Sequence, residues 1–315
     1  MDAYNRGMQL NRWPSYIGLM TGLFCLGCVS QPEEKPASPP VVEPAQPART
    51  DFLNPDKIIF ASTPYLGEGF LKDEFQPLVD YLAEKLGRPC ELRSVASYEK
   101  MIELIGTQEV HLGVLSPLSY VRAKKAEPDL HLLASQVANG ATTYSAYIVS
   151  RNDIGIESLI DLKGKRFGFV DKLSTSGYLY PMAEMRSLKI VPDKFFSEIL
   201  YAGDHEKLIE WVLAGKVDAG ATSSSAFNIM KDQAPGNEKL SIIAKMGRIP
   251  YDAVVANARL EPSLVAKARE AILGLNTQDE LGRQVLRGPT NINGFVPASD
   301  NLYTDVRRAL TSFEQ

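Results

Sequence analysis

The chain has 315 residues, a formal net charge of −4 and 23% charged residues. This length allows one large or two small α/β domains after a short N-terminal segment. The acidic balance argues against a nucleic-acid partner, because nucleic-acid-binding proteins carry basic surfaces.

Residues 1–28 have the pattern of a targeting segment. Arg6 and Arg12 form a basic start, and the apolar run over residues 16–26 is too short for a comfortable membrane span. Cys28 follows a small residue, glycine. The segment resembles a bacterial lipoprotein signal, which implies that Cys28 becomes the lipidated first residue of the mature chain.

Residues 29–54 hold six prolines among Glu, Ala, Ser and Gln, which predicts an extended Pro-rich tether. Such a tether would hold a folded body away from a membrane. Removing residues 1–27 changes the formal charge from −4 to −5, because Asp2, Arg6 and Arg12 are lost. With Cys28 acylated, Cys90 alone is left for the folded body, so we expect no intrachain disulfide.

Strands and helices alternate from residue 58 onward. In the first part we predict strands at residues 58–61, 91–95 and 112–115, and helices at 75–86, 98–105 and from Pro117. Two more strands are predicted at residues 130–134 and 145–150. A second series then has strands at 166–170, 199–201, 217–221 and 242–246, and helices from Gly177 and from His205. This alternation is typical of parallel sheets and predicts two α/β lobes.

The C-terminal part contains one more predicted strand, residues 253–256, and then only predicted helices at 262–273 and 300–310. A lone strand with trailing helices cannot form a domain, so we expect the chain to return to the first lobe. Lobe one is then residues 55–147 plus 252–315, and lobe two is 148–251. Two strands that cross between lobes form a hinge, and a cleft opens beside the strand ends.

Ser174-Thr175-Ser176-Gly177 places three hydroxyl residues before a predicted helix. The first turn of a helix has free N–H groups and the positive end of the helix dipole, so a phosphate-like anion fits there. In the alternative interpretation, one of these residues is an ordinary N-cap and the others only fill the loop.

Several stretches together resemble one known family. They are FQPLVDYLAEKLG, LSPLSYVRAKKA, ESLIDLKGKRFGF, STSGYLYP, YAGDHEKLIEWVLAGKVDAGAT, RIPYDAVVA and NGFVPASDNLY. They are similar to the phosphonate, phosphite and phosphate substrate-binding proteins of ABC importers. The resemblance implies the two-lobed periplasmic-binding-protein fold of the type II superfamily, an α/β fold in which helices flank a mixed, mostly parallel sheet in each lobe.

The resemblance also implies a set of oxyanion contacts. Ser174, Thr175 and Ser176 match the serine-threonine-serine turn of the family, whose hydroxyl and N–H groups would donate to the ligand. His205 matches the histidine that follows the glycine, and Asp252 matches the aspartate after the isoleucine-proline. Alternatively, His205 is a surface or capping residue and Asp252 a hinge residue bonded to backbone.

Asp252 is an acid in an anion site, so a carboxylate there would repel the ligand unless one of them carries a proton. A P–OH group can donate to Asp252, whereas sulfate has no proton to give at neutral pH. We therefore expect discrimination against sulfate. His111 and His131 lie in apolar strand patterns without such partners and are expected to be structural.

Lobe one is expected to contribute Ser116, Tyr120 and Tyr65 to the cleft, although Tyr120 also suits a core position. The sequence shows no cationic residue at a strand end of this lobe, so neutral donors would supply the binding energy. Asp252 is the one acid that the sequence places in the cleft. Glu68 lies near Tyr65 in the chain, but nothing in the sequence directs its side chain into the cleft. We therefore expect a ligand without an amine: phosphite, phosphate or a simple alkylphosphonate.

The function implied is that of an extracytoplasmic, lipid-anchored, monomeric binding protein that delivers a phosphorus oxyanion to an ABC permease. It implies no catalysis, cofactor or metal. GxxxxGK[ST], GxSxG and HExxH motifs are absent from the sequence. Two alternatives stay open: a sensory receptor that signals to a membrane kinase, and an enzyme that uses His205 and Asp252 as acid and base on a phosphorylated compound.

Overall fold

The computed structural model describes residues 51–233 and 236–314. The expected signal segment, its Cys28 and most of the expected tether lie outside these residues. Leu53 is described, and it forms a β-bridge with Leu260 while its N–H donates to the carbonyl of Arg259 at 2.6 Å. The last residues of the segment expected to be a tether thus pair with the folded body.

The described residues form strands and helices in alternation. The strands are β1 (Ile58–Ser62), β2 (Cys90–Arg93), β3 (Leu112–Leu115), β4 (His131–Ala138), β5 (Thr143–Arg151), β6 (Arg166–Phe169), β7 (Glu198–Tyr201), β8 (Ala219–Ser223), β9 (Leu240–Pro250), β10 (Ala253–Ala256) and β11 (Ile292–Val296). The α-helices are α1 (Glu68–Leu86), α2 (Tyr98–Gly106), α3 (Pro117–Ala126), α4 (Tyr180–Ser187), α5 (Pro192–Phe195), α6 (His205–Leu213), α7 (Ser224–Gln233), α8 (Pro262–Leu273), α9 (Glu280–Val285) and α10 (Thr304–Glu314). A π-helical turn, Thr175–Leu179, leads directly into α4.

The first sheet has the strand order β2-β1-β3-β10-β4-β11. β1 is parallel to β2 and β3, whereas β10 is antiparallel to β3 and β4. Helices cover both faces: α1 and α8 pack on one face, and α2, α3 and α10 on the other. Because both faces are covered, all five residues of β1 are buried.

β11 corrects the expectation that no strand follows residue 256. It pairs antiparallel with β4, and the register shifts between Ile292 and Gly294. Gly294 has φ 156°, in a region that favours glycine. A five-residue strand with a glycine and a bulge shows little alternation in the sequence, so only its long-range pairing reveals it.

The second sheet has the order β7-β6-β8-β5-β9. β6 is parallel to β7 and β8, and β5 is antiparallel to β8 and β9. Its core contains Phe167 and Phe169 from β6, as the apolar pattern of that segment predicts. Two mixed sheets flanked by helices confirm the predicted α/β fold class. The expectation that each sheet is mostly parallel is wrong, because the first sheet has two parallel and three antiparallel pairs and the second has two of each.

The chain passes between the two sheets twice. It leaves the first sheet after Ala138 and enters the second at Thr143, and it returns between Pro250 and Ala253. β5 pairs within the second sheet over its whole length, which favours a first crossing a few residues before the expected boundary at residue 147. The lobe boundaries stay a prediction.

Several helices begin directly after the carboxyl end of a strand. α3 starts two residues after β3, with Ser116 as N-cap, and α7 follows β8 without a gap. The segment from Ser174 into α4 also follows the carboxyl end of β6, after a loop of four residues. Strand ends and helix N-termini of both sheets therefore converge, which is where ligands bind in such folds. Within residues 51–233 and 236–314, no helix is long and apolar enough to cross a membrane.

Candidate functional site

A cavity of about 60 Å³ lies where the two sheets converge. A buried water needs roughly 10–15 Å³ of cavity, so this space has room for a small ligand. Its polar lining residues are Ser62, Thr63, Tyr65, Glu74, Tyr98, Ser116, Gln136, Tyr144, Ser174, Thr175, Ser225, Tyr251, Asp252 and Thr290. Of the residues described, no Lys, Arg or His lines the cavity, so the donors facing it are neutral.

The turn at Ser174 is built as a helix start. The hydroxyl of Ser174 accepts a hydrogen bond from the N–H of Gly177 at 3.0 Å, and the hydroxyl of Tyr98 lies near it. A Cβ at Gly177 would come within 2.6 Å of the Val170 side chain, so only glycine lets the turn pack against the end of β6. Ser174 lines the cavity while it caps this turn, so the capping and binding interpretations are compatible.

Thr175 and Ser116 connect the two sides of the cavity. The hydroxyl oxygen of Thr175 accepts from the N–H of Leu118 in α3 at 2.8 Å, which leaves its own proton free to donate to a ligand. The hydroxyl of Ser116 lies 3.1 Å from the carbonyl of Leu173, to which it can donate. Both residues line the cavity, and both also join the first turn of α3 to the segment before α4.

Ser176 and His205 are buried beside the cavity and do not line it. The hydroxyl of Ser176 lies near that of Tyr144, which does line it. His205 accepts at Nδ1 from the N–H of Ser223 at 3.3 Å, and Nδ1 also lies 2.9 Å from the hydroxyl of Thr222. The proton of the neutral ring is therefore on Nε2. Direct contact of these two residues with a ligand stays a prediction.

Burial lowers the pKa of His205 to about 3, so its ring is neutral throughout the physiological range. A general acid works best with a pKa near the operating pH, so this histidine is poorly suited to that role. Its ring packs against Tyr65, with 5.0 Å between ring centroids, and the Tyr65 hydroxyl is bonded to Ser223 at 2.7 Å. The contacts of His205 therefore position Tyr65, which lines the cavity.

Asp252 lies between β9 and β10 and lines the cavity. It keeps some accessible surface because it faces that space, although protein surrounds it. Burial raises its pKa to about 7. Since a buried carboxyl without a cation resists ionisation, Asp252 and a bound anion need a proton between them.

Tyr120 does not face the cavity, contrary to the sequence prediction. It is fully buried in the core beneath α3 and α10, where its ring lies 4.6 Å from that of Tyr303. Its hydroxyl donates to Asp300 at 2.8 Å. The first turn of α3 directs Ser116 to the cavity, and Tyr120, four residues later, lies on the core side.

The structure adds lining residues that the sequence analysis missed, above all Glu74 and Gln136. Glu74 is 7% exposed, and burial raises its pKa. The expectation that Asp252 is the one acid in the cleft is therefore wrong, and that ground for excluding an amine falls away. Glu74 interrupts the apolar stripe of α1, three residues after Leu71 and four before Leu78, and this was an available signal. Glu68 is exposed.

His131 begins β4 and His111 directly precedes β3, and neither lines the cavity. The Nδ1 atom of His111 accepts from the N–H of Ile59 at 2.9 Å, and burial lowers the pKa of both histidines. In the described part of the chain, no group of three or more His, Cys, Asp or Glu side chains could hold a metal ion.

Comparison with known proteins places this site in context. The chain is 28% identical over 232 residues to the phosphate-import protein PhnD of Mycolicibacterium smegmatis, covering 68% of this chain and 70% of that protein. It is 23% identical over 266 residues to the probable ABC transporter phosphite binding protein PhnD1 of Prochlorococcus marinus, covering 81% and 89% respectively.

Solved structures share the fold. PhnD1 of Prochlorococcus marinus in complex with methylphosphonate superposes with a TM-score of 0.76 at 20% identity, covering 83% of this chain and 99% of that one. A binding protein component of an ABC phosphonate transporter from Pseudomonas aeruginosa has a TM-score of 0.74 at 21% identity, covering 82% and 86%. The family described as "ABC transporter, phosphonate, periplasmic substrate-binding protein" matches residues 60–303, which include every residue that lines the cavity. Since this match spans well over half of the sequence, the chain belongs to the family of periplasmic substrate-binding proteins of phosphonate ABC transporters.

Proposed function

We propose that this chain captures a phosphorus oxyanion in the cavity between its two sheets and delivers it to the permease of an ABC importer. The family consists of transport proteins that bind substrates, not of enzymes. The relatives are named for phosphate and phosphite, and one solved structure holds methylphosphonate. Their names therefore support the class of ligand without fixing the compound.

The observation that carries this proposal is the chemistry of the cavity lining. Hydroxyl groups of Thr63, Ser116, Ser174 and Thr175 surround the space, and its ionisable acids are Glu74 and Asp252. Burial favours the protonated form of both acids. Hydroxyl donors suit the oxygens of an anion, and an acid with a raised pKa suits an anion that can share a proton.

The cellular setting is part of the proposal. Cys28 would carry the lipid, residues after it would form the tether, and the folded body would work outside the cytoplasm as a monomer. A lipid-anchored binding protein stays close to its permease while the tether leaves it free to open and close.

Calorimetry with phosphite, phosphate and methylphosphonate, compared with sulfate at pH 8, tests the proposal. At this pH Asp252 is mostly ionised, so sulfate meets a like charge with no proton to share. We expect 1:1 binding of at least one phosphorus compound and at least tenfold weaker binding of sulfate. Sulfate binding as tight as the best phosphorus ligand would remove the role given to Asp252.

The same calorimetry series tests whether the site favours a ligand with an amino group. With Glu74 in the cavity, a comparison of 2-aminoethylphosphonate with ethylphosphonate shows whether an ammonium group finds a carboxylate there. If the amine compound binds more than about tenfold tighter, and Glu74→Gln abolishes this preference, Glu74 is its partner. Equal binding of the two compounds would support the expectation of a ligand without an amine.

A further inference from the structure

The C-terminal helix α10 packs on the first sheet and also contacts the side of the second sheet. Val306, Leu310 and Phe313 are four and three residues apart, so they share one face of the helix. Val306 and Leu310 are buried in the core beneath the first sheet, and the half-buried Phe313 packs against the same core. This apolar stripe holds α10 on the first sheet and places Phe313 in its last turn.

Phe313 contacts the segment that carries the Ser174–Thr175 turn. Its ring meets the ring of Tyr178 edge to face, with 5.9 Å between the two centroids, which is a favourable arrangement of aromatic rings. Tyr178 belongs to the π-helical turn Thr175–Leu179, and Thr175 at the start of this turn lines the cavity. One short turn therefore faces the cavity at one end and contacts α10 near the other.

A second contact joins the ends of α10 and α4. Arg186, in the last turn of α4, donates from Nη1 to the carbonyl of Ser312. The last carbonyls of a helix have no partner within the helix, and a cation beside them is favoured by the helix dipole. Between the two helices, Leu179 is buried in the core of the first sheet. The side of the second sheet thus both caps α10 and inserts an apolar side chain beside it.

These contacts lie away from the strands that cross between the sheets. The other end of α10 is joined to a crossing, because the hydroxyl of Tyr303 donates to the carbonyl of Tyr251 at 3.2 Å. Phe313 follows Thr304 by nine residues of α10, which is about 14 Å of helix. A rotation about the crossing strands displaces distant points most. Opening of the cavity would therefore separate Phe313 from Tyr178.

We propose that Phe313 and Arg186 are positioning residues for ligand binding, whose contacts form as the two sides close and hold the Ser174–Thr175 turn against the ligand. Neither residue lines the cavity, so both act through the π-helical turn and α4. The inference rests on the proposed function, because it concerns the release of that ligand. A contact present only in the closed form slows release and leaves the encounter with the open form unchanged.

Stopped-flow kinetics with phosphite, phosphate and methylphosphonate test the role of Phe313. We expect Phe313→Ala to raise the dissociation rate about three- to tenfold, the range of one aromatic pair, and to change the association rate less than about twofold. Phe313→Tyr keeps a ring against Tyr178, so its dissociation rate should stay within about twofold of the wild type.

Arg186→Met tests the second contact independently. Methionine keeps an extended side chain and removes the donor to Ser312, so we expect the dissociation rate to rise about two- to fivefold with an unchanged association rate. Phe313 also packs against the core of the first sheet, so Phe313→Ala should lower the melting temperature of the ligand-free protein. Arg186 is exposed, and Arg186→Met therefore tests the same role in a fold of nearly wild-type stability.

Phe52→Ala is the matched control. Phe52 is 41% exposed on the segment before β1 and does not line the cavity, so its loss should leave both rates unchanged. A change in dissociation as large as that of Phe313→Ala would attribute the effect to general loss of stability and overturn the inference.

The remaining outcomes separate this inference from the proposed function. If the wild type binds a phosphorus compound and both Phe313→Ala and Arg186→Met release it at the wild-type rate, the contacts do not depend on closure and the inference is wrong, while the proposed function stands. Slower association with unchanged dissociation would contradict it equally. If the wild type binds none of the three compounds, the proposed function fails, and this inference fails with it.

Discussion

Ligand binding at Asp252 depends on the protonation of its carboxyl group. Its carboxyl group and a phosphorus oxyanion need one proton between them, whichever of the two supplies it. Burial raises the pKa of Asp252 to about 7, and phosphate and alkylphosphonates lose their last proton at or slightly above neutral pH. At a pH well above neutral both partners are mostly ionised when free, so binding must take up a proton from solvent.

This proton uptake predicts the direction of the pH dependence. We expect the affinity of the best phosphorus ligand to fall as pH rises, by up to about tenfold per unit between pH 8 and 9. In Asp252→Asn the amide N–H can donate a hydrogen bond to the ligand without any proton uptake. The ligand affinity of this variant should therefore change less than about twofold over the same interval. Calorimetry in two buffers of different ionisation enthalpy measures the proton directly.

The control for this experiment is Asp153→Asn. Asp153 is an exposed acid that is ion-paired with Arg151 in the second sheet, outside the cavity, so its loss should leave the pH slope unchanged. A slope that is equally steep in Asp252→Asn would show that another group takes up the proton, and Glu74 would be the next candidate.

The individual residues of the cavity show which parts of the site could be predicted from the sequence. Ser174, Thr175, Ser116, Tyr65 and Asp252 were predicted for the site, and all five line the cavity. Their motifs are local, so the sequence carries the signal. Tyr120 was misplaced because the face on which a helical residue lies depends on how the helix packs. Gln136 was missed because a single polar residue in an apolar strand has no local signature.

At the scale of elements, the loop before α1 and the start of α6 close one side of the cavity. The N–H of Gly67, just before α1, donates to the carboxylate of Glu206 at 2.9 Å, and the N–H of His205 donates to the carbonyl of Tyr65 at 3.0 Å. These bonds join elements of the two sheets and hold Tyr65 over the cavity. Glu206 itself does not line the cavity, so its effect on a ligand must come through closure.

Removing this contact tests that idea. We expect Glu206→Ala to weaken ligand binding by about three- to tenfold, because one partly exposed hydrogen bond to a charged group is lost from the closed arrangement. Most of the change should be a faster dissociation rate, measured by stopped-flow displacement. Glu210→Ala, one turn later on the exposed side of α6, should bind as the wild type does. An unchanged dissociation rate in Glu206→Ala would mean that closure does not depend on this contact.

The elements themselves followed the sequence closely where their patterns were local. The buried strand β1 and the helix α8 at Pro262–Leu273 form as predicted, and α1 ends before Gly87 as predicted but begins earlier, at Glu68. β11 did not, because it depends on pairing with β4 across more than 150 residues of chain. The order of the strands in each sheet also depends on long-range pairing, so it cannot be predicted from the local patterns of a single sequence.

At the scale of the whole molecule, two short connections between the sheets predict a hinge motion. In the present arrangement the two sides already touch, through Thr175 with Leu118 and through Tyr65 with Ser223. A ligand that needs donors from both sides binds this closed form better than an open one, and so shifts the population toward it.

We therefore expect the radius of gyration, measured by small-angle X-ray scattering, to decrease when the best phosphorus ligand is added. At 100 times the dissociation constant the ligand should also stabilise the fold by about 2.7 kcal/mol. Thr175→Val, which keeps the shape and removes the acceptor of the Leu118 N–H, should leave the ligand-free form more open. If scattering is identical with and without ligand in both proteins, the hinge hypothesis is wrong.

Trp211 gives this motion an optical signature. It is the one tryptophan among the described residues, it lies on the helix that begins at His205, and Lys216 Nζ is 3.6 Å from its ring centroid. It packs against a small cluster of Tyr98, Val170, Ala202 and Leu208, in which Tyr98 comes from the side of the first sheet. Separation of the two sides would withdraw Tyr98 from this cluster and change the surroundings of Trp211. The protein thus contains its own fluorophore beside a contact between the two sides, and its emission can report each binding event without any label.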